Sequence, residues 1–217
     1  DGKTRFAEVT QVGAPFHRTP VFSDEMEYLE FNPYWNVPYS IATKEYLPKL
    51  KANAFALESQ NIRPLLNGQL VNPGTVPWQT YSRQNFPVRL RQDSGPKNAL
   101  GQVKFMFPNE FNIYLHDTPS KSKFVATSRF FSHGCIRVQN PMQLAEVILA
   151  DQGISREEID KIVRSGKRRI VTLENPVPVH IVYLTAWVNK DGSVHYRPDV
   201  YGRDEILGEA LMVSQAQ

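Results

Sequence analysis

The amino-acid sequence predicts an α+β fold: one β-rich domain with an irregular insertion. Its 217 residues fit one large domain that carries such an insertion. Aromatic residues make up 11% of the chain, and 16 prolines outnumber 12 glycines, which suits strands and loops better than a helical bundle. Alternating apolar stretches bounded by Pro, Asn and Asp supply the strands, and two segments with helix-start signals supply the helices.

The first part of the chain divides into an extended region and an irregular one. Residues 1–47 form extended segments separated by proline-rich turns, as in GAPFHRTPVFS and FNPYWNVPYS. Residues 48–96 lose this periodicity and collect Asn, Gln, Pro, Ser and Gly, which is typical of an insertion or lid. Because the chain opens on Asp1-Gly2, a favoured hairpin turn, we expect a fragment of a longer protein.

Strand periodicity returns after the irregular region. From residue 99, LGQVKFMFP and FNIYLHD predict central strands. Later, RRIVTL and PVHIVYLTAWVNKDGSVHYRPDVYG also predict strands, and the second of these segments turns at Asp191-Gly192. These segments provide the sheet of the predicted domain.

Two helices lie between these strands. The first opens at Asn140 with Pro141 in its first helical position. The second follows Ser155, where Glu158 three residues later completes a capping box, and it ends at Gly166. Together with the strands they give the α+β class.

Composition excludes several classes of protein. The net charge of +3 is small and evenly scattered, so nucleic-acid binding is not the expected task. A single cysteine excludes an internal disulfide and a cysteine-rich zinc site. No stretch reaches the roughly 18 to 20 apolar residues of a membrane span, and we expect the chain as given to be soluble.

The single cysteine, Cys135, lies in the segment FFSHGCIRVQN. If this segment is extended, the side chains of His133 and Cys135 project to the same side, and the imidazole can accept the thiol proton. Gly134 lets a substrate approach the amides of residues 134 and 135, which suit an oxyanion. Ser132 completes a candidate nucleophilic site, and an inert buried thiol is the alternative.

Three neighbouring side chains extend this site. Arg137 lies two residues beyond the cysteine and suits a substrate carboxylate. His116 ends the strand IYLHD and either faces the same site or binds backbone structurally, and Tyr114 shares its face. A metal site of His116, Asp117, His133 and Cys135 fits no zinc spacing. Surface or packing roles are expected for His17, His180 and His195.

The run IYLHDTPSKSKFVATSRFFSHGCIRVQNP resembles the L,D-transpeptidase family (YkuD-type catalytic domain), whose signature is a His, a spacer and Ser/Thr-His-Gly-Cys. Here His116 and Ser132 enclose that spacer. RTPVFS, FNPYWNVP, SGPKNALGQVKFMFPN and PVPVHIVYLTAWVNKDG are similar to the large periplasmic subgroup of Gram-negative bacteria. The resemblance covers nearly the whole chain. It implies a β-rich, sandwich-like catalytic domain of residues 1–44 and 93–217, with residues 45–92 as a partly helical, substrate-capping lid.

The resemblance also implies roles for individual residues. Cys135 would be the nucleophile and His133 its general base, with the carbonyl of Ser132 or Gly134 orienting the imidazole. Many relatives have Asn where this chain has Arg137, a variant also seen in the subgroup. Two aromatic residues of the lid, Trp78 and Tyr81, could bind substrate or equally form a small core of the lid. The implied substrate-binding residues are His116, Tyr114, Arg137, Trp78 and Tyr81.

The resemblance implies a role in cell-wall biogenesis and thereby in cell shape. Cys135 attacks the diaminopimelate-D-Ala carbonyl of a peptidoglycan tetrapeptide stem, releases D-Ala, and passes the acyl group to a diaminopimelate amine as a 3-3 cross-link. Carbapenems acylate the same thiol in relatives. The alternatives are an L,D-carboxypeptidase, a lipoprotein-to-peptidoglycan ligase and a non-catalytic peptidoglycan-binding module. We expect a monomer without cofactor, metal or nucleic acid, in the periplasm, from an exported or membrane-anchored full-length protein.

Overall fold

The computed structural model describes residues 3–215, so the predicted turn at Asp1-Gly2 lies outside the described residues. The strands are β1 Thr10–Gly13, β2 Phe22–Phe31, β3 Trp35–Asn36, β4 Ile62–Leu66, β5 Gln69–Leu70, β6 Arg89–Gln92, β7 Val103–Met106, β8 Leu115–His116, β9 Phe130–Ser132, β10 Ile136–Val138, β11 Arg169–Ile181, β12 Ala186–Val188 and β13 Val194–Tyr196. The helices are α1 Tyr39–Ile41, α2 Leu47–Ala52, α3 Pro141–Leu149, α4 Arg156–Arg164 and α5 Asp204–Gln215. These elements confirm the α+β, β-rich class.

Seven strands form the main sheet in the order β11-β2-β7-β8-β10-β1-β9. Alternate side chains of β2 and β7 point to one face, as the period of a strand requires. On that face they are buried against α3 and α4 in the main hydrophobic core. Its fully enclosed members are Leu29, Phe31, Val103, Phe105, Phe107, Ala145, Leu149 and Ile159.

The two predicted helices begin where the sequence indicates. Helix α3 has Pro141 in its first position, after Asn140. Helix α4 has both bonds of the capping box: the Ser155 side chain accepts from the Glu158 amide, and the Glu158 carboxylate accepts from the Ser155 amide. Gly166, with φ +64°, follows its end.

Residues 35–92 contain a second sheet, in the order β3-β6-β4-β5, with a hydrophobic core of its own. The prediction of extended structure up to residue 47 is wrong from Tyr39 onward, because a helical run extends to Ala52 through a π-helical turn at Ala42–Tyr46. Prolines at 38 and 48 precede or open its helical turns, where the missing N–H has no helical partner in any case. The division into 1–44, 45–92 and 93–217 stays a prediction.

The C-terminal part contains a hairpin and a helix. Strands β12 and β13 pair antiparallel, and Gly192 has φ +82° in the turn between them, as Asp191-Gly192 predicts. Helix α5 is not among the elements that the sequence predicts. Among residues 3–215, no helix has both the length and the apolar character to cross a membrane.

Candidate active site

A row of polar side chains crosses the main sheet on the face opposite the hydrophobic core. Residues paired on neighbouring strands share a face, and the register pairs Glu30 with Lys104, Lys104 with His116, His116 with Arg137, and Arg137 with Gln11. Glu30, His116 and Gln11 are buried. The sheet therefore holds five polar side chains in line across five strands.

Cys135 and Tyr114 lie beside this row. The Ile136 amide donates to the Tyr114 carbonyl at 3.1 Å. Tyr114 and Cys135 therefore lie side by side just before strands β8 and β10, each two residues before its partner in the polar row, His116 or Arg137. All four side chains line a cavity of about 530 Å³, which residues 34–36 and 38–41 also line. The structure thus brings together the predicted nucleophile and three of the predicted binding residues.

The Cys135 thiol is partly buried and has several polar neighbours. Its Sγ lies 3.7 Å from the Asn112 carbonyl, to which it donates. Burial raises the pKa of the thiol above its ordinary value, whereas hydrogen bonds from Tyr114 and the charges of Lys104 and Arg137 oppose that rise. The thiol is therefore protonated at rest, with donors and cations arranged to stabilise a thiolate.

Tyr114 and Lys104 supply two of these opposing influences. Burial, with the neighbouring Cys135, raises the pKa of Tyr114 well above its ordinary value, so its hydroxyl remains a donor. The Lys104 ammonium lies 4.1 Å from the centre of the Tyr114 ring, and burial lowers the pKa of Lys104. No pattern in the sequence singles out Lys104, because only the strand register brings it to the site.

His116 is a buried, neutral imidazole with a fixed tautomer. Its Nδ1 lies 2.5 Å from the Asp117 carbonyl, which only accepts, so Nδ1 carries the hydrogen and Nε2 carries the lone pair. Burial and then the charge of Arg137 lower the pKa of His116 to about 3. Both expectations for this residue hold together, since it binds backbone and also lines the cavity.

The Ser132-His133-Gly134-Cys135 segment is not extended. The extended conformation that was expected to project His133 and Cys135 to the same side is therefore wrong. It bends between β9 and β10, and Gly134 has φ +117°, a conformation that favours glycine. The Ser132 hydroxyl accepts from the Gly134 amide at 3.1 Å and donates to the Cys135 carbonyl at 2.5 Å. Of the two amides expected to face an oxyanion, that of Gly134 is therefore already engaged.

His133 lies at the cavity surface and contacts the insertion. Its Nε2 is 3.0 Å from Glu45 Oε1, and the two side chains are 45% and 47% exposed. Its ring centre is 4.7 Å from that of His17, which lines the cavity of about 530 Å³ in addition to the packing role expected for it. Within residues 3–215, no hydrogen bond joins His133 to Cys135, and its role as general base for the thiol stays a prediction.

The partner that orients His133 differs from the expected one. The Ser132 carbonyl accepts from the Ala14 amide, and the Gly134 carbonyl accepts from the Thr19 hydroxyl. The Glu45 carboxylate takes that position instead. No sequence signal marks Glu45, since the contact joins residues 88 positions apart.

Arg137 has unused hydrogen-bonding capacity. Its Nη1 donates to Gln11 Oε1 at 3.3 Å, and its Nε is buried without a partner in the described part of the chain. Burial lowers the pKa of Arg137, and the neighbouring Cys135 opposes this. A guanidinium with a free buried N–H suits a planar carboxylate, which supports the expected binding role.

Other predicted residues lie away from the cavity. Trp78 is buried in the insertion core with Nε1 donating to the Pro73 carbonyl, and Tyr81 packs against the same core. This placement agrees with the alternative of a small lid core. His180 binds Ser23 and His195 stacks on Trp187. Residues 3–215 contain no cluster of three or more His, Cys, Asp or Glu suited to a metal.

Fold and site together define a β-rich domain in which a single cysteine lines a cavity with two cationic side chains, Lys104 and Arg137. The family model of the L,D-transpeptidase catalytic domain (YkuD) matches residues 1–179, and the chain belongs to that family. A Haemophilus influenzae protein named "Putative L,D-transpeptidase" is 35% identical over 200 residues, which are 92% of this chain and 40% of that protein. The chain thus spans less than half the length of this relative, and the resemblance seen in the sequence is confirmed.

Proposed function

We propose that this domain is a peptidoglycan L,D-transpeptidase in which Cys135 forms the acyl-enzyme. The observation that carries the proposal is the shared face of Cys135, His116, Tyr114 and Arg137 in a cavity of about 530 Å³. A thiol beside a neutral imidazole and a carboxylate-binding guanidinium is the equipment for acyl transfer from a peptide that carries a free carboxylate.

Substrate binding prepares the base. A stem-peptide carboxylate on Arg137 offsets the positive charge that is the second cause of the low pKa of His116. Its Nε2 then becomes a stronger base in the cavity that the thiol also lines. We assign the thiol proton to His116 rather than to His133, the base that the resemblance implies. The tautomer of His116 is fixed with the lone pair on Nε2, and its side chain lines the same cavity as Cys135.

Acylation then follows in balanced steps. His116 takes the thiol proton, and the thiolate attacks the carbonyl between diaminopimelate and D-Ala. The Cys135 amide stabilises the oxyanion, since the Gly134 amide is bonded to Ser132. The C–N bond breaks, His116 returns its proton to the leaving amine of D-Ala, and a thioester remains on Cys135.

Transfer to a second stem completes the cycle. A diaminopimelate amine attacks the thioester carbonyl, the C–S bond breaks, and a 3-3 cross-link and free thiol result. With water as acceptor the same thioester gives an L,D-carboxypeptidase, and with a lipoprotein lysine it gives a ligase. Carbapenem acylation of Cys135 and a periplasmic location belong to the proposal, and the family resemblance supports both.

The test is product mass after incubation with a diaminopimelate tetrapeptide, with Cys135→Ala as control. We expect a cross-linked dimer and free D-Ala, both absent with the variant. Formation of tripeptide alone would show that the domain hydrolyses the thioester instead of transferring the acyl group. Peptidoglycan binding by folded protein with an unreactive thiol and no turnover would overturn the proposal in favour of a binding module.

A further inference from the structure

The two histidines of the site differ in their partners, and we infer that they serve different half-reactions. His116 serves the thiol, whereas Glu45 positions His133 as the base for the incoming acceptor amine. This inference rests on the proposed function and deepens it, because it names the residues that select and activate the acceptor.

The Glu45 contact fixes the tautomer of His133. A carboxylate only accepts hydrogen bonds, so the His133 Nε2 at 3.0 Å from Glu45 Oε1 carries the hydrogen. In the neutral ring Nδ1 then carries the lone pair. A carboxylate behind one imidazole nitrogen with a lone pair on the other is the arrangement that orients a general base.

His133 lies between two cavities. The larger one, of about 530 Å³, includes Cys135. A second, of about 290 Å³, includes Glu45 and lacks Cys135, and both are lined by His133 and Arg137. An acceptor that enters through the second cavity therefore passes Glu45 and His133 before it reaches a thioester on Cys135.

One charged group on this route suits a cationic amine. Lys104 lines the larger cavity, Lys97 lines the second and Arg137 lines both, and each repels an ammonium group. Among the described residues that line the two cavities, Glu45 is the only carboxylate. It is therefore the group that can attract a cationic acceptor and hold it against His133.

His133 and the Cys135 thiolate accept the two protons that the acceptor ammonium loses in the transfer step. The ammonium of the acceptor loses one proton to His133 Nδ1 and becomes a free amine. The amine attacks the thioester carbonyl, the new C–N bond forms as the C–S bond breaks, and the second proton passes from nitrogen to the departing Cys135 thiolate. His133 then releases its proton to water.

Glu45→Gln tests this division. Glu58→Gln is the matched control, because Glu58 is an exposed residue of the same insertion that lines neither cavity. The assay uses the tetrapeptide as donor and a diaminopimelate tripeptide as acceptor, and it separates acylation, followed by intact mass, from cross-linking. We expect Glu45→Gln and His133→Asn to acylate normally, and cross-linking to fall on the order of 10- to 100-fold. Glu58→Gln should match the wild type.

Hydroxylamine distinguishes a base role from a structural one. It is uncharged at neutral pH and needs neither attraction by Glu45 nor deprotonation, so it should capture the thioester equally fast in Glu45→Gln and wild type. Slow capture in Glu45→Gln, or unchanged cross-linking, would overturn the inference and leave the proposed function intact. Absence of any Cys135 acylation in the wild type would instead overturn the proposed function itself.

Discussion

Replacement of Tyr114 by Phe should weaken the nucleophile without emptying the site. Tyr114 contributes hydrogen bonds that lower the pKa of Cys135, whereas burial raises it. The substitution removes the hydroxyl bond and keeps the ring, including the face that contacts the Lys104 ammonium. The pKa of the thiol should therefore rise further.

The magnitude follows from the charge on sulfur. A hydrogen bond to a charged group is worth about 1.5–3 kcal/mol, which equals roughly 10- to 150-fold in the thiolate population at a given pH below the thiol pKa. Because the donor favours the thiolate, its loss displaces the ionisation of Cys135 to higher pH. Acylation near neutral pH should slow by less than this factor, because a thiolate of higher pKa is the stronger nucleophile.

The assay is the rate of thiol alkylation by iodoacetamide as a function of pH. Tyr34→Phe is the matched control, since Tyr34 lines the same cavity and its ring contacts Arg91. The midpoint should move to higher pH for Tyr114→Phe alone. Coincident profiles for wild type and Tyr114→Phe would refute the role assigned to the hydroxyl.

Three further substitutions test the site and its frame. Arg137→Lys keeps the charge but loses the planar fork, so kcat/KM for the tetrapeptide should fall about 10-fold or more through KM, and an unchanged KM would contradict carboxylate binding. Gly134→Ala places a Cβ 3.1 Å from Ile113 Cδ1 at φ +117° and should cost about 1–3 kcal/mol in thermal unfolding, a loss that unaltered melting would disprove. Asn32→Ala removes an amide that donates to two carbonyls in the last turn of α4 and to one just beyond it. The melting temperature should therefore fall by roughly 2–4 °C per kcal/mol lost, and an equal value would argue against that cap.

The features that the sequence predicted well depend on nearby residues. Ser155 and Glu158 form their capping box within one helical turn, and Pro141 opens α3 next to Asn140. Asp191-Gly192 turns a hairpin by its own backbone preference. In each case the interacting groups lie within a few positions of one another, so the pattern contains the whole cause.

The features that it missed depend on distant residues or on one backbone angle. Lys104 reaches the site through its pairing with His116 on a neighbouring strand, and Glu45 reaches His133 from the insertion. At Gly134 a positive φ replaces the extended conformation on which the alignment of His133 with Cys135 depended. Strand register and the placement of an insertion are set by the packing of the whole domain, which no local pattern records.

The helical run from Tyr39 to Ala52 shows a second kind of limit. Two prolines within FNPYWNVPYS and a third at residue 48 favour turns when they are counted as helix breakers. In the structure the residues at 38 and 48 stand before or near the start of helical turns, where proline is compatible with the helix. The position of a proline relative to a helix start decides its effect, and that start was not apparent from the pattern.

The central claim is that Cys135 is the nucleophile, and intact-protein mass after incubation with a carbapenem tests it most directly. We predict one adduct on the wild type, none on Cys135→Ala, slow formation on His116→Ala and near-normal formation on His133→Asn. An adduct of equal yield on folded Cys135→Ala, or none on folded wild type, would contradict the account.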